Sequence, residues 1–344
     1  MKVLITGICG FLGTHVAELF KSEMWEVYGI DNLNKVELER TGFDVEKSRQ
    51  HNIDFLNRIG IKFAKADCRY IGVCGVEDLC EGKPDFIIHC AAQPAMTIAL
   101  EIPEHDADNN ILGCLHMLDI AKHFKIPFVN CSSIHVYGND ANNNLAETST
   151  RFVKDYKNEI DESEPILQGE LTPLHVSKYT TELYTKCFAE MYGIRTASFR
   201  FTGMYGERQF GGMDHGWVAN FAIRTIMSKD ITVFGTDKQV RDILYARDAA
   251  RAFLLWYMKG SSGVFNIGGG MKNAISLGEC LYDLRMINNI PQNIHIQDKR
   301  KGDLWYFVCD YKKAKKDFGW EPTVLPNEGL ERISDWIINN KDLF

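Results

Sequence analysis

The chain has 344 residues, 45% hydrophobic and 25% charged, enough for one large or two closely joined domains with a substantial core. A net charge of −7 argues against an electrostatic surface for nucleic acid or anionic membrane. No apolar run reaches the ~18–20 residues of a membrane-spanning helix, and the first residues read as a strand rather than a secretory leader.

The chain begins with an apolar run, Val3–Leu4–Ile5, of buried-strand type. It enters Gly7-Ile8-Cys9-Gly10-Phe11-Leu12-Gly13, and helical spacing follows at Val16, Ala17, Leu19 and Phe20. A second apolar run, Val27 to Ile30, ends on Asp31. Strand, glycine turn, helix, strand and acid in this order suit a dinucleotide. Gly7 permits the tight turn, Gly10 lets the backbone approach a pyrophosphate, and Gly13 lets the helix lie close to the sheet. The helix N-terminus offers free N–H groups and a positive dipole end. Asp31 is positioned to accept from the adenosine ribose hydroxyls and repels a 2′-phosphate, so NAD is expected over NADP. Cys9, Phe11 and Leu12 in the turn and Asn32 after the acid complete this group of candidate contacts.

Residues 32–60 are polar, with helical stretches around Val36–Arg40 and Val45–Arg58. Ile61 to Asp67 reads as a third strand. Asp67 falls either at the adenine edge or in a loop cap, with Cys68 beside it. Pro84 to Gln93 is a fourth strand. Its small residues Ala91 and Ala92 allow close approach to a cofactor, Gln93 adds a polar contact, and His89 reads as a satisfied core histidine. A helix over 106–124 carries Asn109 and Asn110, of which Asn110 is a candidate cofactor contact. The fifth strand, Pro127 to Ser133, ends in two hydroxyls where parallel sheets place ligands. Ser132 and Ser133 contact substrate or satisfy local backbone. Residues 139–172 are polar, and a connection this long is usually functional or an insertion. Leu174 to Tyr192 is a long helix bearing Lys178, followed by a sixth strand, Arg195–Phe201.

The composition changes after Thr202. A glycine-rich loop (203–212) leads to a helix over Trp217–Met227, strands at Ile231–Gly235 and Gln239–Tyr245, a helix over Ala246–Met258 and a final strand, Val264–Gly268. Two helical stretches (277–287, 327–340) surround Arg300-Lys301-Gly302-Asp303. Arg208, Arg241 and Arg300 lie near glycine turns and together suit a diphosphate. The ten cysteines are scattered; Cys9, Cys90 and Cys131 lie in predicted elements and read as buried thiols of a reducing cytoplasm. Cys68, Cys74 and Cys80 recur every six residues without a companion pair, so no metal site is expected.

The pattern predicts an α/β fold: a doubly wound parallel Rossmann sheet with a smaller α/β C-terminal substrate domain. The NAD-binding domain is expected over 1–201, with 236–268 returning to it, and the substrate domain over 202–344, mainly 202–235 and 269–344.

Together these residues resemble the extended short-chain dehydrogenase/reductase superfamily of nucleotide-sugar epimerases and dehydratases. The resemblance covers nearly the whole chain. It rests on Thr6-Gly7-x-x-Gly10-x-x-Gly13, Asp31, Asp67, His89-x-Ala91-Ala92, Ser132-Ser133-x-x-Val136-Tyr137-Gly138, Ser177-Lys178, and Arg200 with Tyr205-Gly206. Arg208-Gln209-Phe210-Gly211, Asp214-x-Gly216-Trp217-Val218, Gln239 to Tyr245, Phe265 to Gly270 and Ile160 to Ser163 are similar to the CDP-paratose 2-epimerase group.

The resemblance implies Ser133 as the catalytic hydroxyl and Lys178 as the Lys of a Tyr-x-x-x-Lys pair. It implies a substrate site including Ser133, Thr202, Arg208, Gln209, Phe234, Arg241, Arg300 and Asp303, and a homodimer through paired helices. The Tyr position holds Leu174. His175 is the adjacent replacement, one helical step of ~100° away; His135 and Tyr137 are others, and a weakened enzyme or an engineered substitution are further readings. The 4,6-dehydratase branch carries Asp-Glu after the catalytic hydroxyl; here Ile134 and His135 stand there, which argues against dehydration. The chemistry these residues permit is inversion at a carbinol, oxidised by NAD and reduced again on its other face. The alternatives are another nucleotide-sugar reaction (4-epimerisation, decarboxylation or net reduction) and a non-catalytic protein that binds NAD or a sugar nucleotide.

Overall fold

Val3, Leu4 and Ile5 are wholly buried because their strand is the middle of a sheet covered on both faces. The structure is a computed structural model that describes residues 1–154 and 158–344. Seven strands form the central sheet: β1 (Lys2–Thr6), β2 (Glu26–Asp31), β3 (Lys62–Lys65), β4 (Phe86–His89), β5 (Phe128–Ser133), β6 (Thr196–Phe201) and β7 (Gly263–Ile267). All pairings are parallel, in the order β7-β6-β5-β4-β1-β2-β3. The strand order reverses between β1 and β4, which opens a crevice at their carboxyl ends.

Helix α1 (Phe11–Ser22) covers one face of the sheet. Its Val16, Ala17 and Phe20 share a core with Phe253 and Trp256 from a later helix. On the other face, α2 (Gly113–Phe124) and α3 (Pro173–Tyr192) enclose Leu118, Phe124 and Phe188 with Ile87 and Phe128. A second core lies between α4 (Trp217–Ile226), α6 (Leu277–Asn288) and α7 (Pro326–Asn339), from Phe221, Ile223, Leu284, Leu330 and Ile333. Between them in sequence, α5 (Ala246–Lys259) supplies Phe253 and Trp256 to the first core.

The expected strands and long helices occur within a few residues of their predicted bounds. Short helices at Val73–Leu79 and Met96–Glu101 and a strand at Gly203–Tyr205 inside the glycine-rich loop were not expected, and further differences follow. The helix expected over 106–124 starts at Pro103 and contains a π turn over Asp108–Leu112. Val264–Gly268 is not the last strand: Ala274–Ser276, Ile294–Gln297 and Tyr306–Phe307 follow. A helix over Lys312–Phe318 was not expected, since four of its seven residues are lysine; it is anchored by buried Ala314 and Phe318. The polar connection 139–172 includes an antiparallel pair, Leu145–Glu147 with Phe152–Lys154, while its residues 155–157 lie outside the described residues. All ten cysteines are unbridged, and no metal-ligand cluster occurs among the described residues.

One buried polar cluster joins α3 to the sheet. Arg200 on β6 donates through Nε (2.9 Å) and a terminal nitrogen (2.7 Å) to the two oxygens of Glu182 on α3. Ser132 Oγ donates to Glu182 Oε1 at 2.5 Å, and the Arg200 guanidinium lies 4.7 Å over the Tyr137 ring. Asn130 Nδ2 donates to Thr181 Oγ1 at 2.9 Å beside it. Arg200→Met is therefore expected to destabilise the fold by about 3–5 kcal/mol, because it strands a buried carboxylate. Arg200→Met/Glu182→Leu should recover much of that loss; urea unfolding of both variants measures it, and equal losses would count against the ion pair as the cause.

Candidate active site

The crevice is a cavity of about 450 Å³ running from the glycine turn, past the ends of β4 and β5, to Arg241, Arg300 and Asp303. At its first end, Gly7 adopts φ +65, and a Cβ there would stand 2.8 Å from the Ala91 backbone. A Cβ at Gly13 would meet the Gly7 carbonyl oxygen at 2.2 Å, which is why helix and turn need glycine there. The first turn of α1 has no side-chain cap and no acid, so its N–H groups face the cavity uncompensated. Asp31 accepts the Cys9 N–H on Oδ2 (2.9 Å) and the Leu33 N–H on Oδ1 (2.8 Å), which fixes its carboxylate on the cavity wall. Each oxygen keeps a lone pair for a ribose hydroxyl. These residues fit a dinucleotide.

Gly7, Gly10, Phe11, Leu12, Gly13, Asp31, Asn32, Cys68, Ala91 and Ala92 all line the cavity. Four other predicted cofactor contacts do not. The Cys9 side chain points into the core, and burial pushes its thiol up. The Asp67 carboxylate is taken by a fork from Arg69 (3.0 and 2.7 Å) and by Asn32, which hold it down to about 2. Asn110 and Gln93 lie behind the wall, bonded to one another and to Asp106. Asn109 lines the cavity instead, because the π turn widens the helix there and changes which neighbour faces inward.

In the middle of the cavity, Ser133 Oγ accepts the His135 N–H at 3.2 Å. Lys178 Nζ donates to the Cys131 carbonyl at 3.0 Å, and burial pushes its ammonium below the ordinary lysine range. Leu174 lines the same stretch, 3% exposed, packed with Met96 and Ala99. His175 does not reach the cavity. The helical phase turns it to the start of α3, where its Nδ1 accepts the Thr172 N–H at 2.8 Å, and burial holds it down to about 4. Tyr137 is buried too, its hydroxyl donating to Asn266 at 2.8 Å. His89 shares a hydrogen bond with Thr6 Oγ1 at 2.8 Å, and burial lowers it to about 3. Of the titratable replacements for a tyrosine at position 174, only His135 lines the cavity.

At the far end Thr202, Gln209, Arg241, Arg300 and Asp303 line the wall. Arg300 Nε donates to Asp303 at 3.3 Å, and Arg241 is held by the Val240 and Leu304 carbonyls. Arg208 borders the cavity, but its guanidinium is committed to Glu18 (2.6 Å), His15 (3.0 Å) and Thr14 (3.2 Å) and stacks on Phe55. It ties the loop to α1 rather than reaching for a diphosphate. Phe234 does not line the cavity; it lies under Arg300, 4.5 Å from the guanidinium.

The NAD dependent epimerase/dehydratase family model matches residues 3–268, which span both the glycine turn and the Ser133–Lys178 stretch. The chain belongs to this family. It is 31% identical to the CDP-paratose 2-epimerase of Salmonella typhi, over 98% of this chain and 99% of that one. A UDP-glucose 4-epimerase of Thermotoga maritima, solved with UDP-glucose, superposes with a TM-score of 0.81 at 29% identity, covering 99% and 100% of the two chains. The UDP-glucose 4-epimerase of Thermus thermophilus in complex with NAD gives 0.80 at 27% identity, with the same coverage. NAD is the family's cofactor, and the glycine turn with Asp31 fits it.

Sequence reasoning missed Lys35, Met96, Thr97 and His215 on the cavity wall. Lys35, near Gly10, had a signal: a lone base shortly after the acid that ends β2. The others reach the site only through tertiary packing. Asp31→Asn is expected to weaken NAD binding about 10–100-fold, the value of a hydrogen-bonded charge. One oxygen becomes an NH2 group facing a backbone N–H, and titration calorimetry with NAD measures the loss; unchanged affinity would remove Asp31 from the site.

Proposed function

We propose that this protein is an NAD-dependent epimerase that inverts C2 of a CDP-linked or other nucleoside-diphosphate hexose by transient oxidation and hydride return. The observation that carries this reading is one continuous cavity. It joins the glycine turn, the Ser133–Lys178 stretch and the paired cations Arg241 and Arg300. The likeness to a CDP-paratose 2-epimerase over nearly the whole chain supports C2 and a CDP sugar. The 4-epimerase neighbours supply the alternative position.

The turn shaped by Gly7 and Gly13 brings Gly10 and the free N–H groups of the α1 N-terminus to the pyrophosphate, Asp31 takes the adenosine ribose, and Lys178 the nicotinamide ribose. Bound NAD supplies a hydride acceptor for a C–H bond far too weakly acidic for any side chain. Ser133 hydrogen-bonds the sugar hydroxyl, and Arg241 and Arg300 clamp the diphosphate. Ile134 and His135 supply no carboxylate pair for elimination, which favours inversion over dehydration. Residues 1–201 with 246–268 make up the NAD half and 202–235 with 269–344 most of the sugar half. The strand Val240–Tyr245, expected to return to the NAD domain, pairs instead with Gly203–Tyr205, Ala274–Ser276 and Tyr306–Phe307 and goes with the sugar half. Ala314, Phe318 and Trp320 pack into the first core. Exposed Val176, Leu183 and Tyr184 on α3 support a homodimer through that helix. Free thiols, with Cys74 and Cys187 exposed, support a reducing cytoplasm.

Leu174 favours a second reading, a protein that binds NAD and a sugar nucleotide without turnover. Proton NMR of CDP-, UDP- and GDP-hexoses incubated with the protein in D2O separates the two. The epimerase reading expects inversion at C2 with its hydrogen retained; deuterium at C2 would overturn hydride return, and inversion at C4 would move the chemistry there. The binding reading expects unchanged spectra and no gain from Leu174→Tyr.

A further inference from the structure

Resting on the epimerase reading, one question is what meets the oxygen of the reacting carbon, since Leu174 is apolar. Two buried histidines answer it. Thr172 N–H donates to His175 Nδ1 at 2.8 Å. A backbone N–H only donates, so that nitrogen is an acceptor and the neutral ring carries its proton on Nε2. His175 Nε2 is buried without a hydrogen-bond partner. The His135 ring packs against it, centroids 5.6 Å apart and tilted by 52°, and His135 Nδ1 is likewise buried and unpartnered. A donor without an acceptor thus stands beside a ring nitrogen that can accept. The two nitrogens share no direct hydrogen bond; one bridging water that accepts from His175 Nε2 and donates to His135 Nδ1 satisfies both. With Nδ1 accepting, the His135 proton lies on Nε2, the edge opposite the buried one, and His135 lines the cavity beside Ser133.

We infer that His135 presents an Nε2–H donor to the oxygen on the reacting sugar carbon, with His175 as the positioning residue that sets its tautomer. The groups facing it agree. His175 on α3, Arg241 on the strand Val240–Tyr245 and Arg300 in the loop after the strand Ile294–Gln297 all disfavour a second proton; with burial as the main cause, they hold His135 down to about 3. The ring is therefore a neutral donor, not an imidazolium and not a strong base. It transfers no proton: the hydroxyl proton leaves through Ser133 Oγ to cavity water as the hydride passes to NAD, and a proton returns by the same route when the hydride comes back, so the cycle balances. It draws electron density onto the carbonyl oxygen as the carbon takes the hydride back, which is how a fixed neutral donor assists such a step.

The test uses the NAD-loaded protein with 15N-labelled histidine, assigned with His135→Gln and His175→Phe variants. Long-range 15N–1H NMR between pH 5 and 8 should show His135 and His175 neutral and protonated on Nε2 throughout. CDP-glucose or UDP-glucose should shift the His135 Nε2 signal, and His175→Phe should let the Nδ1–H form of His135 appear. Titration of His135 near pH 6.5, or a native Nδ1–H tautomer, overturns the inference. For turnover, His135→Phe should lower kcat about 10²–10³-fold. His135→Gln, whose amide N–H can replace the donor but cannot act as a base, should stay within about tenfold of the native protein. Equal loss in both variants, with NAD and CDP-glucose still bound, would make His135 a base and refute the donor role. If no sugar nucleotide binds or turns over, the epimerase reading falls and the substrate role with it, while the tautomer is still decided by the spectra.

Discussion

The ion pair between Glu182 and Arg200 is the contact on which the site's geometry depends. Both side chains are almost fully buried, 2% and 5% exposed, so neither charge has water to turn to. Glu182 lies one helical turn beyond Lys178 on α3, and Arg200 lies on β6 directly opposite Ser132 of β5. Ser132 completes the cluster by donating to the same carboxylate. The registers of helix, strand and neighbouring strand are thereby locked together. Ser133 and Lys178, each next to or one turn from a member of the cluster, inherit their separation from it. A polar cluster specifies geometry in a way apolar packing does not, since each hydrogen bond has one length and direction.

A second polar contact fixes the cavity's other wall. Arg208 reaches from the glycine-rich loop to Thr14, His15 and Glu18 on α1, and the Glu207 carbonyl bonds His15 at 2.8 Å. The glycine-rich loop on the cavity wall is therefore pinned to the helix that follows the glycine turn. Both ends of the cavity are framed by one rigid element, α1, which starts at Gly10 without a side-chain cap. A cap there would satisfy N–H groups that now stand free at the cavity.

What was legible in the sequence was whatever local chemistry decides. The strand–Gly7–helix–Asp31 unit could be read because the turn needs glycine and the ends need charge, whatever the rest of the chain does. β1 and β4 were legible because both faces are covered and their apolar runs, Val3–Ile5 and Phe86–Ile88, are unbroken. Arg208 was misread because an arginine near a glycine turn looks the same whether it faces a ligand or a helix 190 residues earlier. Asn109 and Asn110 exchanged places because a π turn leaves no mark on apolar spacing. The ring contact between His135 and His175 joins residues from a strand end and a helix start, and only the packed structure brings them together.

The order of strands along the chain also bears on how the protein comes to exist. β7 is the outermost strand beside β6, yet the whole of Gly203–Lys259 is made between them. While the ribosome works through that stretch, β6 offers an open row of N–H and C=O groups beside the newly formed Arg200–Glu182 pair. An unpaired parallel edge is a template for a neighbouring nascent chain. α5, which carries Phe253 and Trp256 into the first core, emerges just before β7 and shields the same region. The lobe threaded between β6 and β7 thus sets a waiting time for the first core, and chaperone demand during synthesis should be concentrated in that interval.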